Sequence, residues 1–306
     1  MITVIGSLNY DLVTFSPRCP RAGETLQGEQ LEEHLGGKGL NEAIATARLS
    51  VAKGHVRMWG NVGDDEHGKK MIAALTEANV DTGLVRVLPG VRSGSATIIV
   101  ETESGENRII IIPGANGELN PSNEQLAANF KDSQPGDFVV LQNEFPGVRK
   151  AIEWLHANKP DLSVVYNPSP VRDDLLDLEL LNKVAYLVVN EGEAEQITGR
   201  SGREKDLLAA LHQLLPRPTL IITLGARGCI FQSGETVERV AGVKVRNVVD
   251  TTGAGDTFLG AVVSQLYFGA DLARAVEFAT AAAAVVIQRK GAAESIPEYS
   301  RVALRN

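Results

Sequence analysis

One short run of the sequence combines small residues with a carboxylate in a way that suits phosphoryl transfer. It reads Asp250-Thr251-Thr252-Gly253-Ala254-Gly255-Asp256-Thr257-Phe258 and stands before Leu259–Phe268, whose apolar pattern predicts a helix. Gly253-Ala254-Gly255 leaves backbone N–H groups unobstructed at the helix start, where the helix dipole adds partial positive charge. We therefore predict an anion hole, with Asp256 as the base that takes the proton of an attacking hydroxyl. An isolated Asp here would merely stabilise the helix, but the three small residues before it favour a catalytic role.

Two further polar clusters suit the binding of hydroxyl groups. The run Gly36-Gly37-Lys38-Gly39-Leu40-Asn41 leads into the helical pattern of 42–49, and its lysine and asparagine could bind hydroxyls or an anion. Asn9 and Asp11 follow the first predicted strand and are two residues apart, so in extended chain their side chains share a face. Such a pair suits bidentate hydrogen bonding to vicinal hydroxyls. Taken singly, the first cluster is equally well a helix-start loop with a surface lysine, and the second an Asx turn.

The middle of the chain alternates short apolar runs with helical patterns. The runs are rich in β-branched residues and apolar on both sides of the pleat, which is typical of buried parallel strands. They are Phe138–Leu141, Leu162–Tyr166, Ala185–Val189 and Leu220–Thr223. This alternation predicts an α/β fold with a parallel sheet. Neither a GxGxxG nor a GxxxxGK[ST] motif occurs, so the sequence carries no dinucleotide-binding or P-loop fingerprint.

Polar or turn residues follow several of these strands directly. They are Gln142-Asn143-Glu144, Asn167-Pro168-Ser169-Pro170, Asn190-Glu191 and Leu224-Gly225. Because open parallel sheets bind ligands outside the carboxyl ends of their strands, we expect the site at this edge.

Two segments lack this pattern and predict antiparallel strands instead. They span about residues 11–36 and 93–112, and each contains turn residues such as Gly23 and Gly105. The simpler interpretation is a pair of edge hairpins. The alternative is a small sheet that serves as a lid over a ligand. Since no linker, repeat or low-complexity segment is visible, we predict one domain over residues 1–306.

Composition excludes several classes of function. The 306 residues are 43% hydrophobic and carry a formal charge of −8, which argues against nucleic acid or an anionic membrane as a partner. Two cysteines, Cys19 and Cys229, exclude a disulfide scaffold, and no CxxC motif is present. No apolar run approaches the ~18 residues of a membrane-spanning helix. The first residues predict a strand rather than a secretory signal, so we expect a cytoplasmic protein.

Taken together, these motifs resemble the ribokinase family of sugar and nucleoside kinases over essentially the whole chain. The matching segments run from Gly6-Ser7-Leu8-Asn9-Tyr10-Asp11 and Gly36–Asn41 through Gly114-Ala115-Asn116, Glu144, Asn167–Pro170, Asn190–Glu195, Thr223–Gly228 and Asp250–Asp256 to Arg289-Lys290-Gly291. The resemblance implies a three-layer α/β/α fold with a central, mostly parallel sheet and a small β-sheet lid that also forms a homodimer contact. It implies phosphorylation of D-ribose at O5 by ATP.

The resemblance also assigns residues to the two substrates. The sugar would be bound by Asn9, Tyr10, Asp11, Gly37, Lys38, Gly39, Leu40, Asn41 and Glu144, with Asp256 as base. ATP would be held by Asn190, Thr223, Leu224, Gly225, Ala226, Arg227, Gly228, Gly255 and Thr280.

Two cations are implied as well. Asn190 and Glu193 match an element associated with Mg²⁺ and phosphates. A potassium ion would be held, largely through backbone carbonyls, by Asp250, Thr252, Val286, Arg289, Gly291 and Ser295. The alternative is that Asp250 caps its loop and pairs with Arg289, with no ion.

Three departures from the family pattern concern specificity rather than the reaction. Leu40 replaces the usual Ala and predicts a tighter sugar pocket or a shifted loop. Gly192 replaces a Thr near the phosphates, and Thr280 stands where some members carry His near adenine. A kinase for another sugar or for a nucleoside, and a non-catalytic sugar- or nucleotide-binding regulator, therefore stay open as alternatives.

Overall fold

The computed structural model describes residues 1–303. The strands are β1 (Ile2–Ile5), β2 (Asn9–Ser16), β3 (Gln30–Gly36), β4 (Val56–Gly63), β5 (Asp81–Leu88), β6 (Gly94–Glu101), β7 (Asn107–Ile112), β8 (Phe138–Gln142), β9 (Ser163–Asn167), β10 (Tyr186–Asn190), β11 (Thr219–Thr223), β12 (Gly228–Ser233) and β13 (Thr236–Ala241). The α-helices are α1 (Lys38–Arg48), α2 (Glu66–Glu77), α3 (Asn123–Asn129), α4 (Val148–Asn158), α5 (Leu178–Leu181), α6 (Glu191–Thr198), α7 (Glu204–Leu214), α8 (Ala254–Tyr267), α9 (Leu272–Val286) and α10 (Tyr299–Ala303). None of the helices within these residues has the length and apolar character needed to cross a membrane.

Nine strands form the central sheet in the order β13-β12-β11-β10-β9-β8-β1-β4-β5. All neighbouring pairs from β11 to β5 are parallel, whereas β12 and β13 add an antiparallel hairpin at one edge. The four strands predicted from their apolar runs are all present, each within one residue of the predicted ends. The prediction of a mostly parallel α/β sheet is therefore confirmed.

The strand side chains alternate between two apolar cores, one on each face of the sheet. In β8, Val140 contributes to the core under α1, α8 and α9, while Val139 and Leu141 contribute to the core under α4 and α7. Both cores consist of fully buried residues such as Ile44 and Ile152. This arrangement confirms the three-layer α/β/α fold.

A second, four-stranded sheet in the order β3-β2-β6-β7 stands apart from the central sheet, and we call it the lid. Its two hairpins, β2–β3 and β6–β7, are antiparallel as predicted. The strands that join them, β2 and β6, pair in parallel, which the prediction of antiparallel strands missed. The parallel pairing is possible because β4, α2 and β5 intervene along the chain and return it to the same end of the lid. The two segments thus form one sheet rather than separate hairpins at the edge of the central sheet.

Candidate active site

Asp256 lies in the first turn of α8, at the carboxyl edge of the central sheet. The helix begins at Ala254, earlier than the predicted stretch, because Gly253 precedes it in a left-handed conformation with φ 73° that glycine adopts without strain. The N–H of Ala254 makes a 3.3 Å hydrogen bond to the carbonyl of Thr251. The N–H groups of Gly255 and Asp256 have no acceptor within residues 1–303. These open amides at a helix N-terminus can bind an anion.

The carboxylate of Asp256 contacts the start of α1. Its Oδ2 accepts a 2.8 Å hydrogen bond from Asn41 Nδ2, and its Oδ1 lies 3.7 Å from Lys38 Nζ. Asp256 is only 9% exposed. The structure therefore brings the predicted base into contact with two of the predicted sugar-binding residues.

The segment Lys38–Asn41, predicted as a loop, is the first turn of α1. The helix starts after Gly37, which has φ 86°. A Cβ atom on Gly37 would lie 2.7 Å from the Asn9 nitrogen, and one on Gly39 would lie 2.6 Å from the Gly6 carbonyl carbon. Glycine is therefore required where α1 crosses the connection between β1 and β2. The Leu40 side chain is fully buried in the core, so this departure from the family pattern does not narrow the cleft.

Glu144 follows β8 and connects the strand ends to α1. Its Oε2 accepts hydrogen bonds from the Lys38 backbone N–H, at 2.9 Å, and from the Ser7 hydroxyl. Burial alone would lower the pKa of the Lys38 ammonium, but the charges of Asp256 and Glu144 outweigh burial and raise this pKa above its ordinary value. Lys38 therefore stays a cation beside Asp256.

Asn9 and Asp11 share one face of the lid strand β2, as their spacing predicts, but they line different concave surfaces. Asn9 lies in the cleft with Glu144, and Asp11 lies beside His34 and Asp250. Burial, reinforced by the charge of Glu144, raises the pKa of the Asp11 carboxyl from 3.8 to about 7, against the opposing effect of His34. Tyr10, between them, projects to the other face of β2. There its ring stacks on His67 at 4.0 Å between centroids and its hydroxyl donates to Glu33. Strand alternation thus places the Tyr10 side chain away from Asn9 and Asp11.

Asn116 is a site residue whose role sequence reasoning missed. Its Oδ1 accepts from the Leu8 N–H at 2.9 Å, and its Nδ2 donates to the Leu8 carbonyl and to Asn9 Oδ1 at 3.0 and 2.8 Å. It therefore fixes the turn into β2 and orients the Asn9 amide. The motif Gly114-Ala115-Asn116 was visible as a signal, but its partners are about 107 residues away in the chain. Asn143 and Arg172 also line this cleft.

A second cavity, of about 250 Å³, opens on the other side of the α8 N-terminus. It is lined by Thr223, Gly225, Ala226 and Gly228 after β11, by Thr280 on α9, and by Ala254 and Gly255. Three predicted residues do not line it. Leu224 is buried in the core, Arg227 is exposed and pairs with Glu191 and Glu204, and Asn190 caps α6. Val243, Ala283 and Ile287, which sequence reasoning missed, complete an apolar wall.

Asn190 and Glu193 form a capping box at the start of α6. Asn190 Oδ1 accepts from the Glu193 N–H at 2.8 Å, and Glu193 Oε2 accepts from the Asn190 N–H at 2.9 Å. The pair therefore has a structural role in holding the helix N-terminus. One carboxylate oxygen of Glu193 is not engaged in this cap.

Asp250 joins the loop before α8 to the loop after α9. Its Oδ1 accepts from the Thr252 N–H and hydroxyl at 2.9 and 2.7 Å, and its Oδ2 accepts from the Gly291 N–H at 3.0 Å. Burial opposes ionisation of Asp250, but these hydrogen bonds outweigh burial and lower its pKa. The alternative to a potassium site was that Asp250 caps its loop and pairs with Arg289. The cap is observed, but no ion pair joins Asp250 to Arg289 within residues 1–303.

The remaining residues predicted to hold potassium lie beside these loops. Val286 ends α9, where its carbonyl accepts from the Arg289 N–H, and the buried Ser295 donates to the Ala292 carbonyl. The described residues contain no group of three or more His, Cys, Asp or Glu side chains that could hold a metal. Any cation here would therefore depend largely on backbone oxygens.

Comparisons with known proteins identify the family to which the chain belongs. The family model of the pfkB family carbohydrate kinases matches residues 1–299. The chain is 38% identical to a ribokinase of Lactococcus lactis, over 98% of this chain and 95% of that one. It is also 38% identical to a ribokinase of Schizosaccharomyces pombe, over 98% and 96%.

A solved structure extends the likeness to the fold. The structure of Arabidopsis thaliana ribokinase complexed with ribose and ATP superposes with a TM-score of 0.87 at 29% identity, covering 99% of this chain and 97% of that one. The chain belongs to the pfkB family of carbohydrate kinases and is a phosphotransferase that acts on an alcohol group.

Proposed function

We propose that the protein phosphorylates D-ribose at O5 with ATP, giving D-ribose 5-phosphate and ADP. The observation that carries this proposal is the position of Asp256 between two concave sites. On one side lie the polar side chains of Asn9 and Glu144, with the Asp11 carboxyl near enough for the charges of Glu144 and Asp256 to act on it. On the other side lies the cavity that contains Gly255, one of the open amides of α8. The ribokinase names of the relatives and the ribose and ATP complex of the Arabidopsis enzyme support the choice of substrates.

The reaction needs one proton acceptor and one site for developing negative charge. The oxygen of the sugar hydroxyl forms a bond to the γ-phosphorus of ATP, and Asp256 takes the proton of that hydroxyl. The bond from the γ-phosphorus to the β,γ-bridging oxygen breaks, and ADP leaves. Of the predicted anion hole Gly253-Ala254-Gly255, the Ala254 N–H is already bonded to the Thr251 carbonyl. The open N–H groups of Gly255 and Asp256 therefore stabilise charge on the transferring group, because preorganised donors cost no reorganisation during reaction. Asn41 and Lys38 hold the Asp256 carboxylate in place from α1.

Sugar recognition rests on side chains that form hydrogen bonds to hydroxyls. Asn9 and Asp11 act from the lid, while Asn41 and Glu144 act from the central sheet. A site built in this way rejects an analogue that lacks a hydroxyl, because its buried polar groups are then left without partners. Tyr10 and Leu40 contribute only through their backbone, since their side chains lie elsewhere.

ATP is the phosphoryl donor and binds in the cavity lined by Thr223, Gly225, Ala226, Gly228, Gly255 and Thr280. Mg²⁺ would neutralise charge on its phosphates. The free oxygen of Glu193 suits a hard cation, directly or through water, and Asn190 holds Glu193 in position. The small Gly192 beside them leaves this helix start open.

Potassium is the proposed activating cation. The ion would be held by oxygen atoms at and beside the two loops that Asp250 joins through its hydrogen bonds to Thr252 and Gly291. The residues that would supply these oxygens are Asp250, Thr252, Val286, Arg289, Gly291 and Ser295. These residues fit a cation bound between the loops because the two loops are in direct contact. A Cβ atom on Gly253, in the loop before α8, would lie 2.8 Å from the side chain of Ala292, in the loop after α9. A bound ion would stabilise the loop that carries the anion hole.

The lid suits contact with a second copy of the chain. Its edge strand β7 exposes four consecutive isoleucines, Ile109 to Ile112, each about half accessible or more. An exposed apolar edge strand readily pairs with another chain. We therefore propose a homodimer through the lid, and a cytoplasmic location where ATP is supplied.

The test is release of ADP from Mg-ATP with D-ribose, 2-deoxy-D-ribose, D-fructose and adenosine as acceptors. Turnover with ribose at the highest kcat/KM, and an ester phosphate at O5 by NMR, is the expected result. Preference for fructose or adenosine would replace ribose within the same class of reaction. No ADP release with any acceptor, together with sugar binding by calorimetry, would indicate the non-catalytic regulator.

A further inference from the structure

Four buried polar atoms around Asp256 have no hydrogen-bond partner within residues 1–303. They are Asn41 Oδ1, Glu42 Oε1, Gln142 Oε1 and Thr257 Oγ1. Two hydrogen bonds link this set, from Asn41 to Asp256 and from Gln142 to Glu42. Glu42 and Thr257 are the chain neighbours of Asn41 and Asp256. Buried polar groups without partners are rare in folded proteins, and such a cluster calls for an explanation. Three of the four atoms are carbonyl or carboxyl oxygens that accept hydrogen bonds, and the Thr257 hydroxyl can satisfy at most one of them, so the cluster has fewer donors than acceptors.

Glu42 is the residue that can supply this donor. It is fully buried, and Gln142 Nε2 is the one side-chain donor to its carboxyl within residues 1–303. No Lys, Arg or His in the described part of the chain lies within ion-pair distance of Glu42. A carboxylate in such surroundings is costly, because one neutral hydrogen bond does not replace its lost hydration.

The charges near Glu42 are mostly negative and therefore also favour its neutral form. They are Asp256 on α8, Glu144 after β8 and the single ammonium of Lys38 on α1. Lys38 is already engaged, since it lies 3.7 Å from Asp256 and interacts with the charge of Glu144. Burial first, and then the charge of Asp256, raises the pKa of Glu42 well above its ordinary value of 4.5.

We propose that Glu42 is a positioning residue for Asp256, held as a neutral carboxylic acid whose hydroxyl donates to one of the unpartnered acceptors behind the base. The neutral acid holds the α1 start, and with it Asn41, against α8. It also leaves the cleft without a further negative charge that would oppose the approach of the anionic γ-phosphate and compete with Asp256 for Lys38. Ionisation of Glu42, at pH values above its raised pKa, adds that charge and lowers activity. The role of Glu42 rests on the proposed function of Asp256 as the base, whereas its protonation state does not.

The first measurement therefore concerns folding and needs no substrate. A carboxyl with a raised pKa in the folded state takes up a proton on folding, so its contribution to stability is lost as pH rises from the unfolded value of 4.5. Urea unfolding of wild type and Glu42→Gln is compared from pH 5 to pH 9. The folding constant of the variant, relative to wild type, should grow by up to about tenfold per pH unit and then level off at the folded pKa of Glu42. Glu77→Gln, at an exposed position on α2, controls for the substitution itself.

A ratio of folding constants that does not change with pH would overturn the proposal, because Glu42 would then be ionised in the folded protein. A Glu42→Gln protein that is less stable than wild type at every pH would also overturn it. Failure of the ribose kinase proposal would leave the unfolding result unaffected, so the two failures are distinguishable.

The second measurement tests the positioning role by pH profile. Glu42→Gln should keep most of the wild-type kcat at pH 7, as rescue by the neutral isostere. In wild type kcat/KM should fall at alkaline pH, by up to about tenfold per pH unit above the pKa of Glu42, and this limb should be absent in Glu42→Gln. Alkaline limbs that coincide in the two proteins would contradict the positioning role even if Glu42 is neutral.

Discussion

If Asp11 binds the sugar as proposed, its carboxyl should make the kcat/KM for ribose depend on pH in the neutral range. Its pKa is raised from 3.8 to about 7 by burial and by the charge of Glu144. If the ionised form accepts hydrogen bonds from the sugar hydroxyls, kcat/KM for ribose rises with pH as Asp11 loses its proton. With a pKa of about 7, the ionised fraction, and with it kcat/KM, grows about tenfold between pH 6 and pH 8.

Asp11→Asn isolates this effect, because the amide keeps the shape and removes the titration. The variant should lose the acid limb of the profile. At pH 8 its kcat/KM for ribose should fall about 10- to 150-fold, since a hydrogen bond to a charged group contributes about 1.5–3 kcal/mol.

The assay is ADP release at saturating Mg-ATP, with ribose varied from pH 5.5 to 8.5 at constant ionic strength. A flat wild-type profile, or an acid limb that persists in Asp11→Asn, would refute the reasoning. An equal rise of the KM for ATP would indicate a structural role for Asp11 instead.

Three further predictions concern the cation, the lid and the nucleotide side. Potassium chloride should raise kcat when choline chloride holds the ionic strength constant, and a flat titration in potassium-free buffer would remove the ion joined to Asp250 from the account. Ile110→Lys should convert the expected dimer to a monomer in light-scattering chromatography without changing the urea midpoint, whereas a monomeric wild type would contradict the lid contact. Asn190→Ala should cost about 1 kcal/mol of unfolding free energy by removing the α6 cap and should raise the KM for ATP; unchanged stability would argue against the capping role.

The central strands were predictable because they are apolar on both faces. Phe138–Leu141 and Leu220–Thr223 carry apolar side chains on both faces of the strand, which distinguishes them from the amphipathic helices around them. The structure extends each strand by one residue. The glycine runs were predicted to be functional, which stays a prediction, and their place in the first turns of two helices was not predicted. Gly37 and Gly253 adopt positive φ, so the helices begin at the very next residues, Lys38 and Ala254, which is earlier than predicted.

The features of the candidate site that the sequence did not predict depend on contacts between segments far apart in the chain. Asn116 orients Asn9 across more than a hundred residues, and Gln142 bonds to Glu42 across 100. No local pattern distinguishes these polar residues from surface ones. Tyr10 is different: strand alternation, applied to Asn9 and Asp11, already indicated that its side chain faces the other way.

The most direct test of the account is the turnover of Asp256→Asn with ribose and Mg-ATP. The asparagine retains an oxygen that can accept the 2.8 Å hydrogen bond from Asn41, so folding and the binding of both substrates, measured by calorimetry, should change little. Loss of a positioned base should lower kcat by about 10²- to 10⁴-fold. A correctly folded Asp256→Asn enzyme that keeps more than about a tenth of wild-type kcat would contradict the claim that Asp256 takes the proton.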